Sequence, residues 1–233
     1  TQRQLPRMAL IRPQIKHHEV VLRAPGMLAL HLQIDAVEEP VKARIWQDEV
    51  SAYDMGAVAA QWFTDFLGQP LRLVRFDPEQ RRVSSLKWTA GVEANNQFSD
   101  GFPLLVVSQA SLDGLNDRLT AAGHGGVGIE RFRPNIVLSG LAAHEEDRLE
   151  TIRIDAAEEV RLQPVKPCGR CPIPNIDPAT AEVTPQVLQT LLGYRRNEKL
   201  QGAASFGMNA IVLNGFDQIL RVGQPFTVKL HSG

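Results

Sequence analysis

Prolines and glycines cut the apolar sequence of this chain into short pieces, and that punctuation limits its possible folds more than any other feature. From Met8 to about Arg44 the stretches Val20-Val21-Leu22 and Leu28-Ala29-Leu30-His31-Leu32 are interrupted by Pro13, Pro25-Gly26 and Pro40. Apolar runs this short between turn-forming residues read as strands joined by tight turns. Three segments break that pattern. In Gly56 to Leu67, Val58, Trp62, Phe63 and Phe66 recur at helical spacing, and Gly68 is placed to end the helix. Ser108 to Leu119 offers Ser108 as an N-cap and Leu112, Leu115 and Leu119 on one face. Gln186 to Leu192 follows Thr184-Pro185, with the proline suited to a first helical turn.

Strand-like order returns in Leu71 to Phe76, Phe102 to Val107, Asn135 to Leu138, Glu150 to Ile154, Val160 to Val165, Ala210 to Leu213 and Gln218 to Leu230. Strands outnumber helices and do not alternate with them regularly. The expected fold class is therefore mainly β with inserted helices (α+β), closer to a β-barrel than to a doubly wound sheet. The polar stretch Asp77 to Asn96 is the natural linker or long loop, dividing the chain into an N-terminal unit of residues 1–80 and a larger unit of residues 81–233.

A 43% hydrophobic content supplies a core, and 25 basic against 26 acidic residues leave no global field to draw in nucleic acid or an anionic membrane. Neither partner is expected. No apolar run approaches the roughly 20 residues that span a bilayer, and Thr1-Gln2-Arg3-Gln4 reads as neither signal peptide nor anchor, so the cytoplasm is the expected location. The chain begins without methionine and in mid-pattern, as if upstream sequence were missing.

Both cysteines fall in Pro167-Cys168-Gly169-Arg170-Cys171-Pro172, on what reads as a strand-exit loop after Val160 to Val165. Four readings are open: a redox pair, half of a metal site, one functional sulfur beside an incidental one, or two buried thiols with no task. Structural zinc wants four ligands, and the six histidines are scattered without ligand spacing. A thioredoxin-like pair should open a helix, which Pro172 and Pro174 discourage. A single thiolate near Arg170 suits a soft metal centre brought in by a cofactor. Upstream, Arg131-Phe132-Arg133-Pro134-Asn135 places Arg133 before a proline that holds it extended, so Arg133 and Asn135 point to one side. A guanidinium and an amide there form a receptor for a phosphate and a heterocycle edge, or simply a surface ion pair and a turn.

Together these segments resemble the MOSC family, named from the C-terminal domain of molybdenum cofactor sulfurase. The resemblance lies in Arg131-Phe132-Arg133-Pro134-Asn135-Ile136-Val137, Lys166-Pro167-Cys168-Gly169-Arg170-Cys171, Ile176-Asp177-Pro178, Phe206-Gly207-Met208-Asn209 and Arg221-Val222-Gly223. Upstream, Thr1 to Gln4, Ala59 to Trp62, Phe98 to Pro103 and Ser108 to Leu112 are similar to the subgroup that includes YcbX-type proteins and the mitochondrial amidoxime-reducing component. It implies a MOSC β-barrel preceded by a smaller N-terminal β-barrel-like domain, with a molybdenum-pterin cofactor bound between the two units. Cys171 would be the metal ligand and Cys168 its incidental neighbour. Arg3, Asp100, Gly101, Phe102, Ser108, Arg133, Asn135 and Arg170 would surround the cofactor, Arg3 reaching in from the first unit.

The activity implied is reduction of N-hydroxylated compounds by oxygen-atom abstraction at molybdenum, with electrons from a separate ferredoxin- or flavoprotein-type partner. At family level the resemblance also brings an association with pyridoxal phosphate binding. The subgroup's N-terminal strand carrying a Lys-Ser pair precedes the point where this chain starts, so the cofactor is expected to be held less firmly. Pro172-Ile173-Pro174-Asn175 stands where an apolar, threonine-rich stretch is usual, which alters the expected wall of the substrate pocket. An iron-sulfur cluster needs four cysteines and the chain has two. The alternatives are a sulfur carrier or cofactor-handling protein bearing a persulfide on Cys171, and a non-catalytic barrel.

Overall fold

Apolar alternation and frequent turns at the start of the chain produce two small antiparallel sheets. The computed structural model describes residues 1–36 and 38–232. β1 (Arg12–Lys16), β2 (Glu19–Arg23) and β3 (Leu30–Gln33) pair in that order, and β4 (Pro40–Ile45), β5 (Asp48–Asp54) and β6 (Val74–Phe76) form the second sheet. The strand expected over Leu71 to Phe76 is thus shorter than its alternation suggested. The β4–β5 hairpin turns on Trp46 and Gln47, with Trp46 in the left-handed region at φ 55°.

Between β5 and β6 runs α1 (Ala57–Leu67), which Gly68 ends at φ 76°, a conformation glycine adopts without side-chain penalty. Its buried residues are Ala59, Trp62 and Phe66, and Ala59 and Trp62 pack on Leu22 and Leu30 of the first sheet. Trp62 Nε1 donates to the Leu28 carbonyl at 2.7 Å, so the ring is buried without stranding its N–H. Val58, expected on the same face, lies in the first turn and is 75% exposed; the covered stripe runs through Ala59 instead.

Contacts divide the chain into two units, Thr1–Arg82 with Ile176–Val183, and Val83–Asn175 with Thr184–Gly233. The excursion 176–183 is a small loop closed by the Ile176–Val183 bridge, and Arg12 donates to its Pro178 carbonyl at 2.7 Å. The stretch expected as a linker is folded from Val83 onward. Val83 bridges Asn95, Ser84 N donates to the Ala94 carbonyl at 2.8 Å, and Thr89 and Asn96 are buried.

The second unit is built on one larger sheet. Its strands are β7 (Leu104–Ser108), β8 (Ile136–Leu138), β9 (Leu149–Ile154), β10 (Val160–Gly169), β11 (Arg196–Asn197), β12 (Ala203–Asn214) and β13 (Phe226–Leu230). They run in the order β13-β9-β10-β12-β7-β8, with β11 added on β12, and all pairs are antiparallel except β7–β8. Where a strand was expected from Gln218, only β13 forms. β12 begins seven residues earlier than Ala210, across Ser205 and Gly207, which hid it from apolar alternation.

α2 (Gln109–Ala121) and α3 (Gln186–Tyr194) cover this sheet, Leu112, Leu115 and Leu119 meeting Val187, Leu191, Phe132 and Phe206. Each fully buried large side chain contributes about 1.5–3 kcal/mol of hydrophobic stabilisation. The sequence expectation of a mainly β fold with three inserted helices holds.

Candidate functional site

The cysteine segment begins inside a strand whose geometry is deliberately irregular. β10 pairs β9 only over Val160 to Leu162, whereas its pairing with β12 continues to Gly169. Pro164 and Pro167 therefore lie where β10 has one neighbour, the setting in which a missing N–H is tolerated. The β10–β12 register shifts three times, the last between Pro167, opposite Met208, and Gly169, opposite Ser205. One residue, Cys168, thus faces two, Phe206 and Gly207, and that is a β-bulge. Gly207 has φ 77°, and a Cβ on it would sit 2.6 Å from Val107 Cγ2 and 2.7 Å from the Val106 carbonyl oxygen. Only glycine fits there.

Cys168 is consequently the penultimate residue of β10, not part of a loop as expected, and Cys171 follows just outside the strand. Both are free and half-buried. Gly169 pairs with Ser205 and Arg170 N donates to the Ala204 carbonyl at 2.8 Å, so the backbone between the cysteines stays extended. At about 3.3 Å per residue the two Cα atoms are separated by roughly 10 Å, beyond the reach of a disulfide. The spacing that suggests a redox pair does not yield one in this conformation.

Arg170 turns inward between the cysteines and binds the first of them. Its Nη1 donates to Cys168 Sγ at 3.1 Å and its Nη2 to the Phe132 carbonyl at 3.0 Å, while the guanidinium lies 5.3 Å from the centre of the Phe132 ring. Phe132 in turn stacks on Phe206 at 4.1 Å. The cysteine segment, the arginine segment and the bulge therefore form one cluster. Two donors of Arg170 are engaged within the protein, and its Nε is buried without a partner among the described residues; this is a strut more than the cofactor ligand expected.

Arg133 is exposed, but it is not extended. Its φ is 56°, in the left-handed region, so the alternation that would set Arg133 and Asn135 on one face does not apply. Asn135 is also bound to the neighbouring strand: its N donates to the Leu105 carbonyl at 2.9 Å and its Oδ1 accepts from Leu105 N at 2.8 Å. That leaves its amide nitrogen as the group able to meet a ligand.

Ser108 departs further from expectation. It is fully buried as the N-cap of α2, accepting from Ser111 N at 3.1 Å. A helix N-terminus favours an anion, and here the anion is built in: the buried Glu146 carboxylate accepts from Ser111 Oγ at 2.7 and 2.9 Å and from Ser108 N at 3.3 Å. No cofactor group reaches a hydroxyl so enclosed. Glu146 is the principal polar residue the sequence did not disclose, since its partners lie 35 and 38 positions away.

The remaining expected residues scatter. Asp100 is exposed, and a side chain at Gly101 would meet nothing within 4 Å, so the backbone there borders open space. Phe102 is buried beside Lys166, whose ammonium lies 5.8 Å from that ring and 5.2 Å from Trp88, an aromatic seat worth about 0.5–2 kcal/mol. Lys166 thus ties the 98–103 segment to β10. Arg3 lies in the first unit, stacked 5.0 Å over Trp46.

Behind Phe206 sits a further group. The His144 ring is 6.0 Å from Phe206 and 5.6 Å from Tyr194, and both its nitrogens, like the Tyr194 hydroxyl, are buried without hydrogen-bond partners among the described residues. Burial, helped by the positive charge of Arg195, pushes the imidazole down to about 4, and burial likewise raises the Tyr194 phenol. Among the described residues no three His, Cys, Asp or Glu side chains gather as metal ligands. A metal on Cys171 would need its other ligands from a cofactor, and a half-buried free thiol on the segment that Arg170 ties to Phe132, next in sequence to the exposed Arg133, fits an anionic, metal-carrying group.

The sequence and fold belong to a known family. Residues 93–227 match the MOSC domain and residues 1–70 the MOSC N-terminal beta barrel domain, so the chain is a member of the MOSC family. It is 33% identical over 84% of its length to mitochondrial amidoxime reducing component 2 of Bos taurus, covering 58% of that protein. To mitochondrial amidoxime-reducing component 1 it is 36% identical in Mus musculus, over 84% of this chain and 57% of the relative. In Homo sapiens the figures for component 1 are 33%, 97% and 67%. The chain thus spans under three-fifths of the first relatives it matches. Among the described residues no helix is long and apolar enough to cross a membrane.

Proposed function

We propose that the chain is a molybdenum cofactor-dependent oxidoreductase that reduces N-hydroxylated compounds, as the names of its amidoxime-reducing relatives suggest. The observation that carries this reading is Cys171, a free and half-buried thiol held just beyond β10 in the same cluster as the Arg133 segment. Cys171 would hold the metal, Arg133 would bind the cofactor's anionic part, and the Asn135 amide would donate to its heterocycle. When bound, the cofactor supplies the two-electron removal of oxygen from the substrate nitrogen. The protein's share is to place that centre: the Gly207 bulge sets where β10 ends, and Arg170 fixes the cysteine segment against Phe132. Asp100 and Gly101 offer backbone next to open space where a substrate edge could lie. Electrons would come from a separate ferredoxin- or flavoprotein-type partner.

Elemental analysis of protein made in a host that synthesises the cofactor tests the reading. We expect molybdenum near one equivalent per chain and turnover of an amidoxime with a chemical reductant; metal-free protein from such a host would sink it. A second reading, a sulfur carrier with a persulfide on Cys171, draws support from the same free, half-buried thiol. A mass increase of one sulfur on Cys171 without bound pterin would favour it.

A further inference from the structure

We propose that Arg170 is a positioning residue for Arg133: its guanidinium holds the Phe132–Arg133 peptide in a left-handed turn that presents the Arg133 side chain to an anionic group. The inference rests on Arg133 as the anion-binding residue in the reading above.

A non-glycine residue at φ 56° is strained. The strain is greater before a proline, whose ring drives the preceding residue toward extended backbone. Such a conformation persists only where the chain is fixed on both sides. On the far side Asn135 makes its two hydrogen bonds to Leu105. On the near side the Phe132 ring is buried and stacked on Phe206, and its carbonyl accepts from Arg170 Nη2. Arg133 and Pro134 must bridge these anchors. Arg170 is itself immobilised through its backbone bond to Ala204 and its contact with Cys168. Its planar fork meets a sulfur and a carbonyl with two separate nitrogens in fixed directions, a geometry the single ammonium nitrogen of a lysine does not reproduce. The cysteine segment and the anion-binding turn are therefore coupled through one guanidinium.

The test is a double-mutant cycle on protein prepared without cofactor. Arg133→Gly removes the strain and should raise the melting temperature by about 2–4 °C. In Arg170→Lys or Arg170→Met backgrounds the turn is already free to relax, so the same replacement should add less than half of that. If Arg170 is merely structural, its variants melt lower but the Arg133→Gly increment is unchanged, and the proposal is overturned. In a cofactor-producing host, Arg170→Lys should retain at least about five-fold less molybdenum than the parent, as should Arg133→Ala. Full retention by Arg170→Lys alongside loss in Arg133→Ala overturns the proposal as well. If the parent itself carries no molybdenum, the functional reading falls, and the melting increments still decide the positioning claim.

Discussion

Two strand ends in the second unit carry polar residues and use them in opposite ways. At the end of β7, Ser108 and Ser111 open α2 and meet the buried carboxylate of Glu146, so donors, acceptors and helix dipole are answered from within. At the end of β10, Arg170 is tied down, but Cys171 is a free, half-buried thiol, and Arg133, on the turn that Arg170 bonds through the Phe132 carbonyl, remains exposed. A polar motif is structural when the protein supplies the charge it wants, and open to a ligand when it does not. Serine at a helix start belongs to the first kind here.

Replacing the two sulfurs separately gives the largest contrast. Cys171→Ser should remove essentially all bound molybdenum while changing stability by no more than about 1 kcal/mol, since the site is only half-buried and the exchange is nearly isosteric. Cys168→Ser should keep most of the metal, because Cys168 serves the Arg170 strut. Equal losses in both variants, by elemental analysis, would restore the paired-thiol view. The β7 end should behave inversely. Glu146→Ala removes from a dry site the carboxylate that accepts from Ser108 N–H and Ser111 Oγ, leaving the Ser111 hydroxyl only its bonds with Ser108 Oγ and His144 N, and should cost about 2–4 kcal/mol in urea unfolding. The folded fraction should still load cofactor as the parent does.

Gly207→Ala should fall next, at about 2–3 kcal/mol, since its new methyl meets the Val106 carbonyl oxygen in a left-handed backbone. The smallest effect is on pH dependence. His144 has an imidazole pushed down to about 4 in the folded chain, against about 6.5 when unfolded. The unfolded state therefore takes up a proton first, and stability is lost as pH falls from about 6.5 toward 4, by about 1–2 kcal/mol after allowing for partial solvent exposure. His144→Asn, which tolerates the same left-handed backbone, should flatten that slope in thermal melts at successive pH values.

How far the sequence revealed this depended on the range of the interactions. α1, α2 and α3 were legible because their apolar spacing, caps and terminating residues are local. The β4–β5 hairpin was not, since its turn falls on Trp46 and Gln47 and not on the glycine or asparagine that usually marks one. The start of β12 was hidden because Gly207 answers to Val106 and Val107 across the sheet. In the site, the segments around Cys171 and Arg133 were visible as motifs, but Arg133's backbone ran against the local rule for a residue before proline. Ser108 shows the limit most plainly: a capping serine and a ligand-binding serine read alike until the distant Glu146 is placed beside it.

The bulge at Gly207 also has a meaning in terms of parity. Strand side chains alternate in and out, so an odd change in the count of residues inverts every face beyond it, while an even change merely slides them. One residue of β10 opposite two of β12 fixes an odd offset between the strands. Deleting Gly207 would restore even pairing and turn Phe206, fully buried and stacked on Phe132, toward the opposite face. Around this site the chain should accept many changes of residue and very few changes of length by one.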